Sequence, residues 1–551
     1  MEDFDYVVVG SGSAGSVLAH RLSEDGRNRV LVLEQGGSDR SVFIQMPSAL
    51  AIPMNSPRYD WGYRTEPEPN LGGRSLHCPR GKVIGGSSSI NGMVYVRGHA
   101  LDFERWVEEG AAGWSYGDVL PYFRRAETRA EGGDAYRGNS GPLNTSYGRL
   151  ANPLYRCFIE AGRQAGYAES QDLNGYRQEG FGRFDMTVHR GRRWSAANAY
   201  LRPALRRPNL ELRKHSLATA VLFDGRRATG VAYRRGGRTL EVRARREVIL
   251  AGGPINSPQL LELSGIGRPQ ELARHGIAVR RALPGVGENL QDHLEFYFQL
   301  ACTKPITLYS ALGPMAKLRI GLRWLLAKDG LGATNHFEVG GFVRSRAGIR
   351  YPDIQFHFLS LAISYDGTRQ VRRHGFQAHV GPMRSKSRGW VRLRSADPAD
   401  RPRIFFGYMS HPDDWEEMRA CVRLTREIFA QDAFVPYRGE ELSPGADVQD
   451  DAAIDDFVRR SVESAYHPCG TCRMGDASDP QAVVDPQGRV IGIDSLRVVD
   501  SSIMPSITTG NLNAPTIMLA EKCADAILGR APLPRSDAPY HVAPDWRTAQ
   551  R

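Results

Sequence analysis

No stretch of about 18 apolar residues occurs anywhere in the chain, so no segment reads as a membrane-crossing helix. Cysteine is scarce: seven residues, an odd number, are spread over 551. That excludes a disulfide framework and points to reduced thiols in a cytoplasmic compartment. Cys469 and Cys472 are spaced as a pair. Arg473 follows where haem c attachment needs a histidine, and no second pair stands near to complete a zinc site. The pair reads as packing in a glycine-rich loop, and no metal is expected. The opening Met1-Glu2-Asp3-Phe4-Asp5 has neither a basic nor an apolar leader, so it carries no targeting signature. Internal repeats, low-complexity tracts and long basic runs are also missing. The net charge is +11, yet the arginines are scattered among acids, and no nucleic-acid partner is expected. An ordinary solvated surface is the plain reading of that charge. Peripheral contact with the inner face of the cell membrane is the other.

What is abundant is glycine: 59 residues, about 11% against a usual ~7%, with no collagen-like period. Tight turns and close backbone approaches are therefore expected. The length predicts two to four folding units, and 41% apolar with 24% charged residues is a normal globular balance.

The first unit is legible at once. Phe4 to Val9 is a short β-branched run that predicts a buried parallel strand. Gly10-Ser11-Gly12-Ser13-Ala14-Gly15 follows and opens a segment of helical spacing that ends at Gly26. Val30 to Leu33 predicts a second strand, with Glu34 at its tip. A Gly-x-Gly-x-x-Gly between strand and helix, with an acid after the next strand, predicts a dinucleotide site. Gly10 permits the turn, Gly12 lets the pyrophosphate approach, and Gly15 lets helix and strand pack. Glu34 is placed to bond the adenosine ribose. Further strands are predicted at Glu247 to Leu250, before Ala251 and Gly252, and at Leu496 to Val499, before Asp500. We read these separated segments as one nucleotide-binding sheet.

FAD is favoured over NAD by a second glycine cluster. Gly81 to Gly92 holds four glycines and three serines in twelve residues, with apolar Val83, Ile84 and Met93 beside them. Such a run can lay backbone N–H groups on a flat ring or a pyrophosphate. Near the C-terminus, His467 stands in Tyr466-His467-Pro468-Cys469-Gly470, with Asn511 and Asn513 shortly before the last helix. An imidazole and an amide brought together over a flavin can take up an alcohol proton. Strand-like pieces such as Ile354 to Phe358 and Trp390 to Leu393 alternate polar with apolar residues. That pattern predicts an antiparallel sheet with one covered face.

Together these segments resemble the glucose-methanol-choline (GMC) flavin oxidoreductases, from about Asp5 to about Gly529. The resemblance rests on Gly81 to Asn91 and on Gly252-Gly253-Pro254-Ile255-Asn256-Ser257-Pro258-Gln259-Leu260-Leu261. Within the family the likeness is greatest to choline-oxidising members, through Thr65 to Pro69, Asn335 to Phe342, His374 to Gln377 and Thr508 to Asn513. It implies an α/β fold (α+β overall), with a Rossmann-like FAD-binding domain from 1–149, 201–295 and 466–530. A substrate domain with an antiparallel sheet would take 150–200 and 296–465, leaving a tail, 531–551. It implies His467 as catalytic histidine and Asn511 as its partner. Glu338 would meet the trimethylammonium group of choline, with aromatic faces from Trp61 and Tyr466. Motif and resemblance together give an expected FAD set of Gly10, Gly12, Ser13, Ala14, Gly15, Glu34, Arg80, Gly85, Gly86, Ser87, Asn91, Gly92, Met93, Val94, Val221, Ala251, Gly252, Asp500 and Asn511.

One departure matters. Choline oxidases of this family attach flavin covalently through a histidine where this chain has Ile90. The FAD is therefore expected to be non-covalent and the electron acceptor a quinone or another group rather than oxygen. The expected reaction is oxidation of choline to betaine aldehyde. The alternatives are an alcohol dehydrogenase acting on aliphatic or polymeric alcohols, which would not need Glu338, and a catalytically silent FAD-binding protein. The sequence leaves oligomeric state open.

Overall fold

The computed structural model describes residues 2–363 and 371–551. Two sheets organise it. The first has seven strands. Leu210–Arg213, Val30–Leu33, Glu2–Val9 and Arg238–Leu250 lie side by side in parallel, and Leu496–Val498 adds to the far half of the last. The near half of Arg238–Leu250 turns instead to an antiparallel hairpin with Arg227–Arg235 and Leu217–Asp224. Val7, Val8, Leu31, Val32, Val248 and Ile249 are fully buried, as continuous apolar runs covered on both faces should be. The helices Ser13–Leu22 and Asn513–Ile527 pack together on this sheet, tied by Arg21 to Glu521 and Asp525 at 2.7 and 3.0 Å.

The second sheet runs Arg438–Ser443, Leu294–Cys302, Gly375–Pro382, Ile354–Leu359, Val339–Val343, Gly180–Arg183 and Glu169–Ser170, with Glu463–Ser464 added beside Leu294. All its pairings are antiparallel except the last on the path. Alternation with a period of two puts Phe296, Phe298, Phe356, Phe358, Phe376 and Val380 on one face. There they meet Phe158 of helix Pro153–Gln164 and Phe429 of helix Pro412–Ala430. The opposite face carries Glu295, Gln355, His357, Gln377 and His379, and it too is buried. The sequence pattern predicts water on that side. The structure gives it a cavity roof instead.

The tail after 530 has no helix or strand and lies along the surface. Its Leu533 N–H donates to Tyr122 Oη and its Arg551 pairs with Glu427. All seven cysteines are free thiols. Burial pushes the Cys469 and Cys472 thiols far up, so neither carries a reactive thiolate.

Candidate active site

One deep cavity runs from the glycine turn to the polar face of the second sheet. At its floor, Gly10 has φ +101, and a Cβ there would lie 2.5 Å from the Ala251 carbonyl oxygen. A Cβ on Gly15 would lie 1.9 Å from the Gly10 oxygen, and one on Gly86 would lie 2.7 Å from Gly12 Cα. Three glycines thus let two strand ends and two loops close on one another. Gly85 N–H donates to Ser11 O at 2.9 Å, which fastens the second glycine cluster to the first. Helix Ser13–Leu22 starts here with no side-chain cap and no acid in its first turn. Its N–H groups and dipole therefore face the cavity ready for an anion, which suits a pyrophosphate.

Glu34 is buried at the cavity wall. Its carboxylate accepts from Ser11 N–H, Ser11 Oγ–H and Gly36 N–H at 2.9, 2.7 and 2.6 Å. It braces the turn and keeps acceptor capacity for a ribose hydroxyl. Asp500 accepts from Gly253 N–H and Ser257 Oγ–H at 2.9 and 2.6 Å and from Ser502 N–H at 2.8 Å. Burial raises both carboxyls above the usual range. Ser13, Ala14, Arg80, Ser87, Asn91, Gly92, Met93, Val94 and Gly252 also line the cavity. These groups fit FAD: an anion site, a ribose acceptor and a glycine-rich backbone wall. Ile90 is buried among Ile44, Tyr59 and Val83 and offers only aliphatic carbon to the cavity.

Three expected contacts fall outside the lining. Gly15 and Gly85 act in packing. Val221 is buried with its N–H given to Ser264 Oγ, and Ser216, Leu217 and Ala218 take the wall position instead. A residue that sequence reasoning missed holds the glycine loop. Arg193 is fully buried without an acid, and donates to Asn91 O and Asn91 Oδ1 at 2.7 and 2.8 Å. Burial pulls its guanidinium down to about 9.

His467 and Asn511 meet at the other end of the cavity. The His467 N–H donates to Asp292 Oδ1 at 2.7 Å, fixing its backbone. The protonation of the ring follows from its partners. Met383 O can only accept, so His293 Nε2–H donates to it at 3.0 Å. His293 Nδ1 is then an acceptor, and His467 Nδ1–H donates to it at 3.1 Å. His467 Nε2 keeps its lone pair and accepts from Asn511 Nδ2–H at 3.0 Å. Burial first, then His293, His357 and Arg80, hold His467 well below its ordinary value. It is a neutral base aimed at the cavity. Asn511 Oδ1 faces Gln355 Nε2 and His357 Nε2, both at 3.3 Å.

Glu338 is elsewhere. Its carboxylate accepts from Leu150 N–H at 2.6 Å and Thr334 Oγ–H at 2.9 Å, and it packs against Gly148. It does not line the cavity. Strand parity alone would put it on the His357 side with Gly340 and Phe342, but its carboxylate turns away to the Leu150 amide and the Thr334 hydroxyl. The carboxylate that lines this end of the cavity is Glu295. Ile363 N–H donates to Gln377 Oε1 at 2.8 Å, so Gln377 Nε2 donates to His379 Nε2 at 2.6 Å. His379 Nδ1–H is then left to donate to Glu295 Oε1 at 3.0 Å. Trp61, Phe337, His357 and Tyr466 line the same end. Trp61 stacks on Tyr63 at 5.7 Å, and the Tyr466 carbonyl accepts from Arg80 Nη2. Glu295 and His357 were findable from sequence only as polar positions in strands, and His293 only as a histidine just before one, without any sign of what they would face.

Comparison with known proteins gives the same picture. A GMC oxidoreductase N-terminal family model matches residues 4–295 and a GMC oxidoreductase C-terminal model residues 385–520. A Brucella ovis protein named oxygen-dependent choline dehydrogenase is 60% identical over 99% of this chain and 100% of its own length. A protein of the same name from Photobacterium profundum is 58% identical over 100% of this chain and 97% of its own. Among solved structures, pyridoxine 4-oxidase from "Mesorbium loti" is similar with a TM-score of 0.87 and 33% identity, covering 96% of this chain and 99% of that one. A formate oxidase from Aspergillus oryzae gives 0.90 and 27%, covering 96% and 98%.

Proposed function

The chain belongs to the GMC oxidoreductase family, whose cofactor is FAD, and we propose that it oxidises choline to betaine aldehyde. FAD, when bound, supplies the hydride acceptor. His467 Nε2 takes the hydroxyl proton, because its lone pair is the one directed into the cavity. The resulting imidazolium donates through Nδ1–H to neutral His293, which keeps the charge from meeting another cation. Asn511 turns its amide from His467 to the substrate oxygen and holds it. Glu295 faces the trimethylammonium group, and Trp61 and Phe337 offer apolar ring faces to its methyls. The observation that carries the reading is that a neutral imidazole and a buried carboxylate line one cavity with the glycine turn. The choline dehydrogenase names of the full-length relatives support the substrate.

The test separates charge from shape. Glu295→Gln should weaken choline by about 2 kcal/mol or more, the scale of a lost buried charge partner. The neutral isostere 3,3-dimethylbutanol should change little. Equal losses for both, or a wild-type preference for the isostere, would leave an alcohol dehydrogenase of the aliphatic kind. Retention of FAD is non-covalent on this reading, since Ile90 offers no bonding atom. Acid precipitation should therefore release all the yellow colour. The acceptor is where the sequence expectation and the relatives' names part: Ile90 favours a quinone, the names carry oxygen. We keep the quinone reading as the one to test. Reoxidation by oxygen as fast as turnover would reverse it.

A further inference from the structure

The helix Pro314–Ala327 stands apart from everything described so far. It rests on the short turn Gly330–Ala333 and buries one large side chain, Trp324, whose Nε1–H donates to Gly191 O at 2.6 Å. Met315, Leu318, Leu322, Leu325 and Leu326 are exposed by 61, 55, 50, 52 and 87%. Their spacing puts them along one side of the helix, and Leu331 continues the patch at 41%. Monomeric proteins seldom leave that much contiguous aliphatic surface uncovered. The charges beside it are of one sign. Lys317, Arg319, Arg323 and Lys328 are the charged residues from 314 to 328, with no acid among them. Asp329 follows and is paired with Arg323 at 2.7 Å. The Gly191 contact brings exposed Arg190 and Arg192 to the end of the same helix.

We propose that this helix lies in the surface of an anionic membrane, leucines in the acyl boundary and basic side chains among the headgroups. An apolar stripe bordered by lysine and arginine is what an interfacial helix needs. The charge argues against a second copy of the chain here, since a two-fold contact would set these cations against themselves. No helix among the described residues is long and apolar enough to cross a membrane, so attachment would be at the surface.

Sedimentation of the holoenzyme with vesicles tests this. It should sediment with phosphatidylglycerol–phosphatidylcholine vesicles, not with phosphatidylcholine alone, and be released by salt. Leu322→Glu with Leu326→Glu should cut binding about tenfold or more. Lys317→Ala with Arg319→Ala should cut it about fivefold per charge. Both variants should keep bound-flavin absorbance and the thermal midpoint of the wild type, which separates lost docking from lost folding. A wild type that stays in the supernatant with anionic vesicles at low salt overturns the proposal, as do variants that bind like wild type. A dimer seen by light scattering that Leu322→Glu with Leu326→Glu dissociates also overturns it, by giving the surface to a second copy.

Discussion

The two walls of the cavity are made in opposite ways. The nucleotide wall is largely local: strand, glycine turn, helix, strand and acid follow one another from Phe4 to Glu34, and the bonds that hold Glu34 come from Ser11 and Gly36. The substrate wall is assembled from Glu295, His357, His379, His467 and Asn511, which are far apart in sequence; strand register aligns the first three, and His467 and Asn511 reach them from loops. The first is held by backbone proximity, the second by chains of side-chain hydrogen bonds. A local wall can be broken by one methyl group. A distributed wall fails in function before it fails in fold.

The largest effect should come from the local wall. Gly15→Ala puts a Cβ 1.9 Å from the Gly10 oxygen, within backbone that cannot move away. The purified variant should be colourless, measured by absorbance at the flavin bands. Retained FAD would show that the turn is softer than its geometry. On the distributed wall, His467→Ala should keep FAD and slow anaerobic flavin reduction by roughly 10²-fold or more. Asn511→Ala should act in the same direction, and on the proposed mechanism, in which both groups serve one oxygen, the two losses should not add. Unchanged reduction would remove His467 from the reaction.

Glu338→Gln is expected to leave choline binding unaltered. It should cost about 1 kcal/mol of stability by weakening the bonds from Leu150 and Thr334, read by denaturant unfolding. A large loss of choline affinity alone would return Glu338 to the substrate site. The smallest effect concerns Glu262, on the helix that follows Ala251. Burial raises its carboxyl to about 8, and it accepts from Leu393 N–H at 3.1 Å. Its folded value lies above its unfolded one, so its contribution is complete below about 4.5 and is lost as pH rises through about 8. Glu262→Gln should therefore gain on wild type as pH rises from 5 to 9, by about 2 °C or more in thermal midpoint. A constant difference across that range would mean Glu262 is charged throughout.

Reading from sequence worked where neighbours in the chain are neighbours in space. The turn at Gly10 to Gly15, the acid Glu34 and the loop at Gly85 to Gly92 were legible because a dinucleotide turn needs those residue types at fixed spacing. His467 and Asn511 were legible as two conspicuous residues, and the resemblance joined them. Glu338 was misplaced for a physical reason. A buried carboxylate beside aromatic residues looks the same in sequence whether it points to a cavity or to a loop amide. The alternation at Ile354 to Phe358 was seen correctly as a strand, but polar positions in a strand ordinarily face water. Here they face a cavity closed by another part of the chain.

What the sequence by itself determined is the chemistry of the local unit: a strand, a turn without side chains, a bare helix start and an acid, which between them specify a dinucleotide. What only the tertiary structure decided is which polar side chains share the substrate end, and in what protonation. His467 Nε2 is an acceptor there because Met383 O, 84 residues away, fixes the His293 proton 174 residues away. Hydrogen-bond direction passes along contacts in space, and strand pairing, not sequence spacing, sets those contacts.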